Sequence, residues 1–249
     1  DWSSDVCSSD LRLDPLASSL QAILEVVRSS PRRIVFAEGE EEKSIRAAAA
    51  FHNQGFGVPV LVGYEDRIKE TMKRLGMANS NGLEIHNAAL SKANKRYTEF
   101  LYGRLQRQGF LQRDCQRMVN QDRNIFAACM VANGDADGVV TGLTRNYHMA
   151  LGEIGRAIDP RPGSNVIGMT VLVARGRTVF LADTAVVEAP TAERMADTAI
   201  QVAAKARQMG HEPRVALLSY SNFGQPMLQG RMSIRDAIKV LDQRQVDFE

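Results

Sequence analysis

The chain has 249 residues, of which 44% are hydrophobic and 24% charged, values typical of a globular protein. This composition excludes a disordered chain, a collagen-like fibre and a small disulfide-stapled protein. Lys and Arg number 31 against 29 Asp and Glu, a net charge of +2 that gives no argument for nucleic acid as a partner. No apolar run reaches the roughly 18 residues of a membrane-spanning helix, so no membrane partner is expected. Three cysteines without metal-like spacing favour a reducing, cytoplasmic compartment.

The first eleven residues, DWSSDVCSSDL, have no helical or strand periodicity and lack the basic start and apolar stretch of a signal peptide. They resemble the translation of a constant short-read sequencing adapter; the alternative is a disordered native N-terminus. On the adapter interpretation, residues 1–11 are an artefact to be left out of fold reasoning. The chain is then expected to be a piece of a longer protein, with its natural N-terminus missing and an arbitrary C-terminus at Glu249.

From residue 12 onward, the hydrophobic pattern alternates between helical and strand periods. Residues 14–29 have an amphipathic pattern, which predicts a connecting helix within residues 12–30. Short apolar runs and helical segments then follow in turn: strands 33–37, 58–62 and 83–86, with helices 43–54 and 66–75 between them. This order is typical of an open α/β sheet with right-handed crossovers.

The alternation of predicted strands and helices continues to residues 159–163 (DPRPG), the segment of the chain least compatible with regular secondary structure. Before it lie predicted helices 97–108, 124–132 and 147–158 and a predicted strand 139–142, which together give a first α/β domain over residues 31–162. After it, residues 163–249 form a second α/β domain. We predict there a hairpin of strands 166–174 and 178–182, a helix 191–209 capped by Thr191, a buried strand 214–221 and a helix 233–241.

Ligands of open α/β sheets bind beyond the carboxyl ends of the strands, and four segments with suitable side chains follow predicted strands. Hydroxyls, amides, backbone N–H groups and an arginine are the donors that an anionic ligand needs. The candidate ligand-binding residues are Glu38, Gly39, Thr141, Gly142, Thr144, Arg145, Asn146, Asp183, Thr184, Ser219, Ser221 and Asn222. Each segment is equally well explained as turn chemistry, and Arg145 is either an ordinary surface arginine or an anion contact.

Several familiar signatures are absent from the sequence. There is no P-loop and no G-x-S-x-G elbow, and the Gly55-Phe56-Gly57 segment follows a helix, the wrong order for a dinucleotide fingerprint. The four histidines are dispersed, so no metal site is expected in this chain. No catalytic residue is assigned from these patterns.

Four segments, which occur along the chain in the same order as in a known family, resemble segments of that family. Residues 134–142 (GDADGVVTG), 36–39 (FAEG), 180–183 (FLAD) and 213–221 (PRVALLSYS) are similar to segments of the phosphate acetyl/butyryltransferase family. Residues 37–43 (AEGEEEK), 119–124 (VNQDRN) and 141–147 (TGLTRNY) resemble more closely the variant that forms the C-terminal domain of bacterial NADP-dependent malic enzymes.

The resemblance implies a three-layer αβα, isocitrate-dehydrogenase-like two-domain phosphotransacetylase fold, here expected to be truncated at the C-terminus. In that fold, acetyl-CoA and phosphate meet in the cleft between the domains. Two departures from the family are expected. The family's C-terminal Ser-Arg segment and Asp, and the last elements that complete the first domain, would lie past Glu249. In addition, active members carry an Arg-Pro pair where this sequence has Gly152-Glu153. A carboxylate in place of a cation should disfavour phosphate.

Three functions are compatible with the resemblance. The first is an acetyl-CoA-responsive regulatory and oligomerisation module of a malic enzyme, whose NADP and divalent metal would belong to other domains of the parent protein. The second is an active phosphate acetyltransferase, and the third is an assembly domain without a ligand. The partners implied are a small-molecule acyl-CoA and, in the full-length protein, further copies of the same chain.

Overall fold

The computed structural model describes residues 24–77, 82–174, 177–218 and 229–249. The described chain forms two compact units, which divide between Asp159 and Pro160. We call Leu24–Asp159 the N-terminal unit and Pro160–Glu249 the C-terminal unit. Among the described residues, no helix is both long enough and apolar enough to cross a membrane.

The N-terminal unit is built on a parallel sheet of four strands. These are β1 (Arg32–Phe36), β2 (Gly57–Val62), β3 (Glu84–His86) and β4 (Gly138–Val140), in the spatial order β3-β2-β1-β4. Val35 of β1 lies opposite Val60 of β2 and Val139 of β4. The strands are strongly apolar because a parallel sheet has both faces covered.

Helices cover both faces of this sheet. They are α1 (Glu42–Asn53), α2 (Glu65–Arg74), α3 (Asn94–Leu105), α4 (Gln112–Gln121), α5 (Arg123–Ala132) and α6 (Tyr147–Gly155), with a 3₁₀ turn at Gln106–Gln108. Since neighbouring strand residues point to opposite faces, Phe36 packs in a cluster with Ile45 and Ile68 of α1 and α2. Val35 packs in a second cluster, with Leu101 of α3 and Phe126 of α5.

The C-terminal unit contains an antiparallel hairpin and two long helices. Strands β5 (Met169–Ala174) and β6 (Arg177–Ala182) pair with Leu172 opposite Val179. Helix α7 (Ala192–Gln208) begins at Thr191, whose hydroxyl accepts a hydrogen bond from the Arg194 N–H at 3.2 Å. Helix α8 (Gln229–Gln243) packs on α7 through a small apolar cluster that includes Ala196, Ala199 and Leu241.

In the described residues, the structure has one helix that the sequence patterns do not predict, and one predicted strand is wrong. Helix α4 was not predicted, although its buried Cys115 and Val119 are four residues apart and its first turn is capped by Asp114, which accepts the Leu111 N–H at 3.1 Å. The predicted buried strand 214–221 is irregular over residues 214–218, and the rest lies outside the described residues. The Val215 N–H donates to the backbone oxygen of Glu249 at 2.7 Å, but no strand pairing forms within the described part. Leu218 is 81% exposed, in contrast to the burial that was predicted.

Candidate functional site

The residues that follow β1 and β4 meet at one edge of the sheet, because these two parallel strands are neighbours. The carboxylate of Glu38 accepts the N–H of Gly142 at 2.9 Å and the N–H of Leu143 at 2.7 Å on one oxygen. Its other oxygen accepts the N–H of Thr144 at 2.7 Å and the Thr144 hydroxyl at 2.5 Å. We call residues 141–145 the β4 loop; its consecutive N–H groups form an anion cradle that an internal carboxylate fills.

Glu38 is held in this cradle as an anion. Its side chain is buried, with only 3% of the residue exposed. Burial on its own would raise the pKa of Glu38, but the hydrogen bonds from the Thr144 hydroxyl and from three backbone N–H groups outweigh it, so the pKa lies below its ordinary value. The backbone beside it is also tightly placed, since the Gly39 N–H donates to the Val62 carbonyl at 3.0 Å.

Arg145, at the end of the β4 loop, is held by two carboxylates of the same unit. Its guanidinium donates to Asp122 at 2.6 Å and also to Glu153. The side chains are mostly buried, with 30% of Arg145, 18% of Asp122 and 13% of Glu153 exposed. The hydrogen bond to Asp122, reinforced by Glu153, raises the pKa of Arg145 above its ordinary value. The anion contact of Arg145 is therefore made within the protein.

Asn124 connects these groups to the start of the loop. Its amide donates to the second oxygen of Glu153 at 2.7 Å, and its carbonyl accepts the hydroxyl of Thr141 at 2.6 Å. Asn124 is buried, with 2% exposed, and it lies in the first turn of α5, where the Asp122 carboxylate caps two N–H groups. We call Asp122, Asn124, Thr141, Arg145 and Glu153 the polar network.

Large apolar side chains lie exposed beside the β4 loop. Val140 and Leu143 are 51% and 53% exposed, and Met149, in the first turn of α6, is 55% exposed. The predicted site residue Asn146 caps that helix, its side-chain oxygen accepting the Met149 N–H at 2.9 Å. This edge of the sheet thus combines polar groups that are already hydrogen-bonded within the protein with an exposed apolar surface.

The remaining predicted site residues belong to the C-terminal unit. Asp183 accepts the N–H of Gly168 at 3.0 Å and of Val186 at 3.2 Å on one oxygen, while its second oxygen is buried and has no partner in the described part of the chain. Thr184 is exposed, and its N–H donates to the Gly168 carbonyl at 3.2 Å. Ser219, Ser221 and Asn222 lie outside the described residues.

The structure brings together the predicted site residues that follow β1 and those that follow β4, and it adds others. Glu38, Thr141, Gly142, Thr144 and Arg145 share one edge. Sequence reasoning missed Asp122 and Asn124 as site residues, although both lie in the 119–124 segment, and noted Glu153 only as a departure from a family pattern. Within the described ranges, no group of three metal-ligating side chains comes together.

Sequence comparison connects this architecture to known proteins. Residues 18–249 match the phosphate acetyl/butaryl transferase family. The chain is 54% identical over 239 residues to an NADP-dependent malic enzyme of Rhizobium meliloti, covering 96% of the chain and 31% of that protein. It is 41% identical to a probable NADP-dependent malic enzyme of Rickettsia prowazekii, covering 93% of the chain and 30% of that protein. A phosphate acetyltransferase of Synechocystis is 29% identical, over 92% of the chain and 33% of its own length.

Structure comparison gives the same fold. A phosphotransacetylase from Streptococcus pyogenes superposes with a TM-score of 0.82 at 25% identity, covering 93% of this chain and 70% of that one. One from Staphylococcus aureus superposes with a TM-score of 0.76 at 23% identity, covering 90% of this chain and 69% of that one. The predicted α/β phosphotransacetylase fold is confirmed. The chain spans about 30% of the length of the malic enzymes it matches, and it belongs to the phosphate acetyl/butaryl transferase family.

Proposed function

We propose that this chain is the phosphotransacetylase-like domain of an NADP-dependent malic enzyme, where it acts as an acetyl-CoA-responsive regulatory and oligomerisation module. The parent protein would oxidise and decarboxylate malate to pyruvate, with its NADP and divalent metal bound outside this domain. The identities of 54% and 41% to malic enzymes, against 29% to a phosphate acetyltransferase, support this assignment.

The occupied anion donors of the β4 loop support a regulatory role over catalysis. Transfer of an acetyl group to phosphate needs free donors and cations around the phosphate and the developing oxyanion. Here the carboxylate of Glu38 accepts the N–H groups of the loop. Asp122 and Glu153 accept hydrogen bonds from Arg145. This is the observation that carries the proposal, because the described edge offers phosphate no unpaired cation on the loop.

The open apolar surface beside the loop suits the acyl group and the adjoining methylene groups of the thioester of an acyl-CoA. Val140, Leu143 and Met149 are each more than half exposed, and burying such side chains against a ligand is favourable. Regulation further requires that acetyl-CoA bind two states of the parent protein with different affinities. A ten-fold difference corresponds to about 1.4 kcal/mol of coupling.

The test uses the full-length protein that carries this chain. It is assayed first for acetyl phosphate formation from acetyl-CoA and phosphate, and then for malate oxidation with and without acetyl-CoA. We expect no transferase turnover and a change in malate oxidation. Robust acetyl phosphate formation would show a working transferase, whereas the absence of both responses would indicate a ligand-free assembly domain.

The oligomeric role and the compartment are parts of the same proposal. The size of the full-length protein in solution, measured by light scattering with and without this domain, tests the homo-oligomer.

We place the protein in the cytoplasm because Cys115 and Cys129 are free and buried, as expected of a protein from a reducing compartment.

A further inference from the structure

Two carboxylates from different helices converge on the single guanidinium of Arg145. Asp122 precedes α5 and Glu153 lies in α6, so the pairing depends on how these helices pack. One cation between two anions leaves this group with an excess negative charge. Both carboxylates accept from the same nitrogen of Arg145, Nη1. A tetrahedral oxyanion approaching Arg145 would therefore meet a guanidinium whose charge is already compensated by two carboxylates, and these would repel the oxyanion.

The carboxylates of Asp122 and Glu153 differ in the other hydrogen bonds that they accept. Asp122 is also the helix cap of α5, and its other oxygen accepts the N–H groups of Asn124 and Ile125 at 2.9 and 3.0 Å. Within the described residues, the other oxygen of Glu153 accepts a single bond, from the Asn124 amide at 2.7 Å. A glutamine oxygen can accept that bond equally well. Glu153 is thus the carboxylate whose charge can be removed with the least effect on the fold.

We propose that Glu153 is a specificity-determining residue that excludes inorganic phosphate from Arg145. Together with Asp122 it engages Nη1 of Arg145 and more than compensates the charge of the guanidinium, so that a cation on the β4 loop is held in an internal ion pair. Neutralising Glu153 opens a latent site for phosphate or sulfate at Arg145. The inference deepens the proposed regulatory function, since a module that does not transfer acetyl groups has no use for bound phosphate.

The test is a gain of binding in the complete 249-residue chain. Glu153→Gln is titrated with inorganic phosphate at constant ionic strength, by calorimetry or by phosphorus NMR, against the unmodified chain. We expect phosphate to bind at least about ten-fold more tightly to the variant, because a carboxylate in contact with the binding cation has been removed. Adding Arg145→Gln to this variant should abolish the gain.

A matched control removes the same charge elsewhere in the unit. Glu41 is exposed and its side chain does not cap α1. Glu41→Gln therefore frees no cation in the described part of the chain and should leave phosphate binding unchanged. If Glu153→Gln does not fold, Asp122→Asn supplies the test, since asparagine is also a good helix cap and the substitution also neutralises one partner of Arg145.

Three results would overturn the proposal. These are phosphate binding by Glu153→Gln that is no tighter than in the unmodified chain, a gain that survives Arg145→Gln, and an equal gain in Glu41→Gln. None of these outcomes concerns acetyl-CoA. A failure of this inference is therefore distinguishable from a failure of the regulatory function, which is measured by the response of malate oxidation.

Discussion

Glu38 and Thr144 are 106 residues apart in the chain and join the segments that follow two neighbouring strands, β1 and β4. The Glu38 carboxylate receives both the hydroxyl and the N–H of Thr144, at 2.5 and 2.7 Å. Because β1 and β4 are parallel and adjacent, the residues that follow them meet at one edge of the sheet. No pattern in the sequence near either residue indicates this pairing. The pair fixes the shape of the β4 loop, on which the candidate site depends.

Glu38→Gln should destabilise the chain by about 2–4 kcal/mol, because it leaves buried N–H donors facing an amide that is itself partly a donor. The free energy of unfolding is measured by urea denaturation followed by circular dichroism. Glu41→Gln is the matched control, since Glu41 is exposed and its loss should change stability by less than about 0.5 kcal/mol. Equal effects of the two substitutions would show that the cradle adds no stability.

The stabilisation from Glu38 should depend on pH. The pKa of Glu38 is lower in the folded chain than its ordinary value of 4.5, so the folded state favours the carboxylate. Its contribution is fully present above pH 4.5 and is lost as the pH falls through the lower folded-state pKa. We expect the stability difference between the unmodified chain and Glu38→Gln to be constant from pH 6 to 8 and to shrink below pH 4.5. A difference that grows on acidification would contradict this.

Much of the N-terminal unit could be predicted from apolar patterning. Val35 and Phe36 lie in one short apolar run, and the structure places them in clusters on opposite faces of the sheet. The helices α1 and α2 begin and end within one residue of their predicted bounds, at Glu42–Asn53 and Glu65–Arg74. These features depend on the spacing of apolar residues along each segment and on glycines that end helices, and both are visible in a single sequence.

The chemistry of the site could not be predicted in the same way. Asp122 and Glu153 look like ordinary surface charges in the sequence, and only the packing of α5 and α6 brings both to Arg145. The sequence also indicated an open anion site after β4, because nothing local shows that the carboxylate of Glu38 fills it. Long-range polar pairing of this kind follows from the fold and is invisible to periodicity.

Asn124→Asp tests the polar network by a change of one atom. The new carboxylate oxygen would replace the amide that donates to Glu153 at 2.7 Å, placing two anions in contact in a buried position. We expect a loss of about 2 kcal/mol or more at neutral pH, recovering below about pH 5 as one of the two acids binds a proton. Asn87→Asp is the control, because the Asn87 oxygen only accepts the Ala89 N–H at 3.0 Å, which aspartate does equally well. A pH-independent loss would argue against charge repulsion.

Cys115 and Cys129 should react with iodoacetamide only after unfolding. Both side chains are fully buried in the main apolar cluster, and burial raises the pKa of the Cys129 thiol to about 12, so little thiolate exists at pH 8. Peptide mass spectrometry of chains alkylated with and without urea measures the effect. Rapid native labelling of either residue would show that this cluster opens readily.

Gly39 and Gly103 should respond in opposite directions to alanine. A Cβ on Gly39 would lie 2.8 Å from both the N and the O of Val62, backbone atoms of β2 that cannot move without disturbing the sheet, so Gly39→Ala should cost about 1–3 kcal/mol. A Cβ on Gly103, inside α3, meets no atom within 4 Å. Gly103→Ala should therefore stabilise the chain by up to about 1 kcal/mol, through helix propensity alone. Urea denaturation of both variants measures the difference, and a Gly39→Ala chain as stable as the unmodified one would mean that β1 and β2 approach less closely here.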